Sequence, residues 1–299
     1  MDNIGGIWRM VAAMAMSGTI GVFVLLSGQA PLTVVLFRCL IGAAALLGWL
    51  WHGGQWRTPD RRALAWIGIG AAALIGNWLC LFAAFALAGI SIATVVYHVQ
   101  PFLLVLLVAV LQRQPLERRK LPWLVLAFAG VAFTAGIDTT GAHAGLASGV
   151  LLALGAAALY ALATLATRKL GDYAPAQIAG LQLLLGVLVL APLAQIDLQA
   201  ISRIGWGSLL LIGLVHTGLV YNLMYGAFQR LRADTIASLS FIYPLVAMVA
   251  DYLVFDTRLG PWQWAGVAMI LLSLAGNQAP KSERVRSGSA LPSGASARK

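Results

Sequence analysis

The sequence predicts an all-α polytopic membrane protein: ten transmembrane helices, arranged as two inverted five-helix repeats around a central cavity. Three observations predict it. The chain is apolar, with 60% hydrophobic residues, 10% charged residues and a mean hydropathy of +0.86. It repeats itself: Ala129-Gly130-Val131-Ala132 recurs as Ala265-Gly266-Val267-Ala268. Its basic residues fall almost entirely in alternate connections between apolar runs.

The apolar runs set the number of crossings. No Asp, Glu, Lys or Arg occurs from Ala63 to Gln112, a stretch of about fifty residues and enough for two crossings at roughly 20 each. Turn residues and charged loops divide the whole chain into ten spans, at about 7–27, 32–51, 63–88, 91–111, 121–137, 146–168, 174–194, 205–229, 234–254 and 260–277. The first run begins near Ile7. Ala30 is followed by Pro31, a poor cleavage site, so this run reads as a retained span rather than a signal peptide.

Direction follows from charge. One set of connections carries Arg57, Arg61 and Arg62; Arg113, Arg118, Arg119 and Lys120; Arg168 and Lys169; Arg230 and Arg232. Arg9 and the tail residues Lys281, Arg284, Arg286, Arg298 and Lys299 belong to the same side. The other set holds only Arg203 and Arg258, and Arg38 lies within a span. By the positive-inside rule both termini are cytoplasmic, as in a bacterial-type inner membrane. The net charge of +10 is thus a topology signal. Nucleic-acid binding, which needs a continuous basic surface, is disfavoured.

The repeats run in order. Ala84-Phe85 and Pro101 match Ala227-Phe228 and Pro244 with one offset, and Pro122-Trp123 matches Pro261-Trp262. Five spans per half is an odd number, so the second half enters the membrane from the opposite side and the repeat is inverted. The organisation is residues 1–138 for spans 1–5, 139–277 for spans 6–10, and 278–299 for a flexible basic tail rich in Ser, Ala, Gly and Pro. Gly145 and Gly149 have the spacing of a helix-packing pair, although the first lies in a loop.

Polar groups within spans point to a site, because side chains of this kind are costly in a bilayer. Asn77 and Trp78 fall at the middle of span 3; Tyr97, His98 and Gln100 surround Pro101 in span 4; Tyr160 is in span 6; His216, Thr217, Tyr221 and Asn222 are in span 8; Tyr243 adjoins Pro244 in span 9. Five helices thus bring hydrogen-bonding or aromatic groups to one depth. Nine tryptophans lie at span ends or in loops and form an interfacial belt. Trp78 alone lies deep, either as a core residue or as a stacking surface for a planar ligand. Pro101 and Pro244 each remove a helix hydrogen bond and are expected to kink or hinge their spans.

Charged residues inside spans are few, and two lie away from the span ends. Arg38 must face protein or water, and either binds helix-end carbonyls or holds a substrate carboxylate. Asp251, toward the outer end of span 9, either carries a coupled proton or pairs with Arg258. Cys39 and Cys80 both lie in apolar runs and read as small core residues. No catalytic set, metal-ligand spacing or glycine-rich phosphate loop is placed to work, so the sequence reads as neither an enzyme nor a cofactor protein.

These residues resemble a known family. The ten spans in two halves, Arg38 within Phe37-Arg38-Cys39-Leu40-Ile41-Gly42-Ala43, the paired Pro101 and Pro244 and the closing Ala-Gly-Val-Ala segments are similar to the EamA-type branch of the drug/metabolite transporter superfamily. Within it the aromatic and histidine-bearing midplane looks most like YddG-type exporters of aromatic amino acids. The resemblance implies a basket-like bundle that exports a small metabolite by alternating access, acting as a monomer. It would place an aromatic ring against Trp78 and the tyrosines, the ammonium on carbonyls or aromatic faces, and the carboxylate on Asn, Gln or His donors. A proton-coupled multidrug or metabolite antiporter is the close alternative and an intramembrane enzyme the remote one. Members often carry a glutamate after the proline-bearing span of each half. Here those stretches read Leu111-Gln112-Arg113 and Val254-Phe255-Asp256, so the first lacks an acid.

Overall fold

The computed structural model describes residues 4–54, 56–112, 121–134, 145–228, 230–231, 239 and 242–278. These residues form helices and connecting turns, with no strand among them. In chain order the helices are α1 (Ile4–Gly18), α2 (Ile20–Leu26), α3 (Pro31–His52), α4 (Arg61–Ala88), α5 (Ile90–Tyr97), α6 (Gln100–Gln112), α7 (Leu121–Thr134), α8 (Leu146–Arg168), α9 (Pro175–Leu190), α10 (Arg203–Gly213), a π-helical turn (Leu214–Leu219), α11 (Val220–Phe228), α12 (Ile242–Phe255) and α13 (Pro261–Gln278). Helix falls within each of the ten apolar stretches. Among the described residues four helices are long and apolar enough to cross a membrane: Ile4–Leu26, Pro31–His52, Arg61–Ala88 and Leu146–Thr167. Shorter apolar helices make up most of the remainder.

Local chemistry explains the helix ends. Pro31, Pro175 and Pro261 open their helices, where a missing N–H costs nothing. Asp60 caps α4 by accepting from the Ala63 N–H at 2.6 Å, and Ser202 caps α10 by accepting from the Gly205 N–H at 3.0 Å. A single residue, Gly89, joins α4 to α5, and its φ of +78° is open to glycine at little cost.

Among the described residues three spans are interrupted. The first breaks at Thr19, between α1 and α2, with no proline nearby. The fourth breaks at His98-Val99, directly before Pro101. Proline has no N–H to bond back, so the break precedes it as expected. The eighth contains the π-helical turn, where the Thr217 hydroxyl donates to the Ile212 carbonyl five residues back, at 3.0 Å. Pro244 is buried near the start of α12.

Packing joins the two halves. α4 lies along α8, α3 along α9, and α7 along α13. α1 packs on α11 and α12, α2 on α10, and α5 on α8 and α12. These pairings map onto one another when stretches 1–5 are exchanged with 6–10. Stretch 3 on 6 answers to 8 on 1, 4 on 6 to 9 on 1, and 3 on 7 to 8 on 2. Stretches 2 on 7, 4 on 9 and 5 on 10 map onto themselves.

Glycines set the closest approaches. A Cβ at Gly149 would stand 2.8 Å from the Ala88 backbone nitrogen, so the Gly145–Gly149 pair does bring α8 onto the end of α4. Gly42, in the Arg38 segment, faces Thr217 of the π turn, where a Cβ would stand 2.7 Å from its methyl. The core runs through the middle of the bundle, from Val34, Val35 and Cys39 through Phe82 and Phe85 to Ala153 and Ala157. Trp8, Trp49, Trp51, Trp262 and Trp264 near helix ends and Trp56 in a connection are exposed, as an interfacial belt requires.

Candidate functional site

The midspan groups of α3, α4, α5, α8, α11 and α12 converge. Thr94 and Tyr97, three residues apart on α5, are both buried. The Tyr97 ring stands edge-on to Tyr160 of α8 at 5.8 Å and to His98 at 6.0 Å. His98 lies 4.9 Å from Tyr243 of α12. The result is a continuous row, Tyr160–Tyr97–His98–Tyr243, reaching from α8 across the broken fourth span to α12. The His98 Nδ1 donates to the Thr94 carbonyl at 2.7 Å, since that oxygen can only accept. This fixes the ring in the row.

Arg38 reaches the same region from α3. It is the eighth residue of that helix, about 10 Å along it at 1.5 Å per residue. Its guanidinium lies 3.9 Å from the centroid of the Trp78 ring and 5.9 Å from that of Phe82. Tyr97, Tyr221 and Tyr243 stand within its electrostatic reach. The two sequence readings of Trp78 therefore need adjusting. The ring is buried, and one of its faces is covered by Arg38. Nor does Arg38 bind helix-end carbonyls among the described residues: its Nε is buried with no hydrogen-bond partner.

The remaining candidates divide. Asn77 is fully buried and donates its Nδ2 to the Ala156 carbonyl of α8 at 2.7 Å, while its Oδ1 has no partner. Replacing Asn77 with alanine is expected to cost about 1–2 kcal/mol of stability through this contact. A thermal-unfolding series in detergent checks that, and an unchanged midpoint would assign Asn77 to the ligand alone. His216 belongs to the π turn. Its Nδ1 donates to the Leu211 carbonyl at 3.2 Å and its Nε2 lies 3.1 Å from the Thr19 hydroxyl, so it ties the break in the first span to the eighth. Phe23 packs on it at 5.3 Å. Tyr221 is half-buried in α11, and Gln100 is half-buried at the start of α6. The side chains of Asn222 and Pro101 lie outside the described residues.

Asp251 stands apart from the row. Its carboxylate accepts from the Ser91 N–H at 2.8 Å, the Ser91 hydroxyl at 2.6 Å and the Thr257 hydroxyl at 2.9 Å. It thereby caps the N-terminus of α5 from α12. Arg258, the partner considered from the sequence, pairs instead with exposed Asp256 at 3.3 Å. Asp256 ends α12 with φ +50°. On the opposite face, Gln177 at the start of α9 donates to the Arg57 carbonyl and accepts from the Arg57 N–H at 3.2 Å. Arg57 also donates to the Asp172 carbonyl at 2.7 Å. The halves are thus joined at both ends of the bundle. Sequence reasoning missed Ser91, Thr257 and Gln177, and only Gln177 carries a signal, as a polar residue at an apolar helix start.

Comparison with known proteins gives the same frame. The model of the EamA-like transporter family matches residues 4–136 and again 147–277. The uncharacterized transporter YxxF of Bacillus subtilis (strain 168) is 31% identical over 273 residues, covering 89% of this chain and 87% of that protein. The uncharacterized transporter YwfM of the same organism is 29% identical over 286 residues, covering 91% and 93%. The threonine/homoserine exporter RhtA of Escherichia coli (strain K12) is 29% identical over 160 residues, about half of each chain. One solved crystal structure superposes with a TM-score of 0.62 at 19% identity, covering 91% of this chain and 95% of that one, which bears on the fold alone. These matches point to a transporter rather than an enzyme. With two matches that together span most of its length, the chain is a multi-pass membrane protein and belongs to the EamA-like transporter family.

Proposed function

We propose that the protein is a secondary transporter that exports aromatic amino acids or similar small amphiphilic metabolites by alternating access. In this reading ten spans form two inverted halves, residues 1–138 and 139–277, with both termini cytoplasmic and a bacterial-type inner membrane as its site. It acts as a monomer. The observation that carries the substrate reading is the row Tyr160–Tyr97–His98–Tyr243. It lines midspan with ring faces and edges, contributed by both halves, and such surfaces take a planar apolar group and a nearby ammonium. The exchange symmetry of the packing supports the inverted arrangement. Two equivalent packings, swapped between the halves, convert an inward-facing cavity into an outward-facing one.

Similarity to RhtA, whose name gives it threonine and homoserine, favours a second reading with a small hydroxylated amino acid as cargo. Proteoliposome flux of tryptophan, phenylalanine and threonine decides between them. Saturable flux of the first two over threonine is the expected result. Flux of threonine alone would establish the second reading, and flux of none would remove both. Repeating the assay with an imposed pH gradient separates a proton-coupled antiporter, driven by the gradient, from a facilitator indifferent to it.

A further inference from the structure

Arg38 is a permanent cation, 6% exposed and about one third of the way along its helix, and among the described residues it has no counter-anion. The ten spans hold two acidic residues: Asp234, at the first position of span 9 and outside the described residues, and Asp251, whose oxygens are taken by Ser91 and Thr257. The Arg38 Nε has no hydrogen-bond partner. What holds the guanidinium in place is aromatic: Trp78 beneath it at 3.9 Å and Phe82 farther off. An aromatic face attracts the cation without supplying a lone pair for each N–H, so among the described residues the guanidinium keeps N–H groups left to donate elsewhere.

We propose that Arg38 is the carboxylate anchor of the transport site, and that the ligand class is a small amphiphile bearing a monoanionic carboxylate. The inference rests on the transporter reading above and specifies its ligand. A planar guanidinium donates two parallel hydrogen bonds to a carboxylate, a geometry that lysine cannot reproduce. Trp78 then acts through Arg38, as a positioning residue that orients the fork, and the ring-binding surface is the tyrosine–histidine row. Asn77 Oδ1 and Thr94 Oγ1, buried and accepting no hydrogen bond among the described residues, lie beside Tyr97 and Tyr243 and offer oxygens to an ammonium at the row. An α-amino acid, with both charges one carbon apart, matches this combination of donors and acceptors.

The test separates binding from flux, so that failure of one reading does not mask the other. Purified full-length protein in detergent is titrated with tryptophan, tryptamine, indole-3-acetate and sodium chloride, and thermal stabilisation gives an apparent Kd for each. Tryptophan and indole-3-acetate are expected to stabilise the protein, and tryptamine, which lacks the carboxylate, to bind at least about tenfold more weakly. Arg38→Gln is expected to weaken tryptophan at least about tenfold and to erase its advantage over tryptamine; Arg38→Lys should fall between. Trp78→Phe keeps a ring under the guanidinium and should retain the preference, which guards against reading misfolding as loss of the anchor. Four results would overturn the proposal: tryptamine equal to tryptophan in the wild type, an undiminished tryptophan response in Arg38→Gln, no stabilisation by any carboxylate, or chloride alone matching tryptophan. The last would assign an inorganic-anion site. Absence of flux in liposomes alongside carboxylate-dependent binding would count against export and leave the anchor standing.

Discussion

Asp251→Ala is expected to lower stability by about 3–5 kcal/mol, because it strips one buried carboxylate of three hydrogen bonds and leaves their donors unpaired. The Ser91 N–H and both hydroxyls then have no acceptor in a region where Asp251 is 1% exposed and Ser91 3% exposed. Asp251→Asn keeps one oxygen for Ser91 and is expected to cost about 1–2 kcal/mol, and Thr257→Val about 1 kcal/mol. Unfolding midpoints in one detergent give the ranking. Equal midpoints for Asp251→Ala and wild type would show that the carboxylate contributes no net stability. The contact also has direction. A negative group at the first turn of α5 meets the positive end of that helix, and it does so from a helix 160 residues away in the chain. Its loss should therefore loosen α12 from α5 in particular, and hydrogen exchange in α5 should rise before that in α4.

Gly130→Val is expected to be nearly as damaging, at about 3 kcal/mol, by overpacking the seam between α7 and α13. A Cβ at Gly130 would stand 2.8 Å from the Gly266 carbonyl oxygen, 2.7 Å from Ile270 Cγ1 and 3.1 Å from the Ile270 nitrogen. Two of those atoms are backbone and cannot rotate aside. Gly130→Ala should fall between valine and wild type. Size-exclusion profiles and melting points provide the comparison, and a valine variant as stable as wild type would mean the helices separate freely.

Much of this was legible in the sequence for physical reasons. Apolar runs such as Pro31–His52 announce helices because a single segment can satisfy its own backbone in lipid only as a helix. The tryptophan belt is visible because interfacial residues sit at the ends of such runs. The break before Pro101 follows from a missing N–H. The duplicated Ala-Gly-Val-Ala segments marked the repeat, and that their glycines meet at a seam required the fold. Other features left no local mark. The break at Thr19 has no proline, and the π turn at Leu214–Leu219 lies against Gly42 of a distant helix, with Ile41 against the preceding Gly213. The bonding of Asp251 to Ser91 depends on two remote segments meeting, and the nearby Arg258 was a natural but mistaken partner. Arg38 was legible as an intramembrane charge. Its lack of a counter-anion, and its placement over Trp78, required the fold. As a result the carboxylate role that the resemblance gave to Asn, Gln or His donors passes to Arg38 in the proposal.

The meeting of Gly130 with Gly266 has one more consequence. These are the same residue of the two copies, and each lies against the other. Contact between equivalent positions occurs only on a twofold axis, and it is the signature of an isologous interface between identical subunits. Here that interface has been folded into one polypeptide. A point on such an axis keeps its neighbours if the two copies trade conformations. Under the proposed alternating access the glycine seam is the fulcrum, and the aromatic row, made of unequal side chains from the two copies, is the part free to differ.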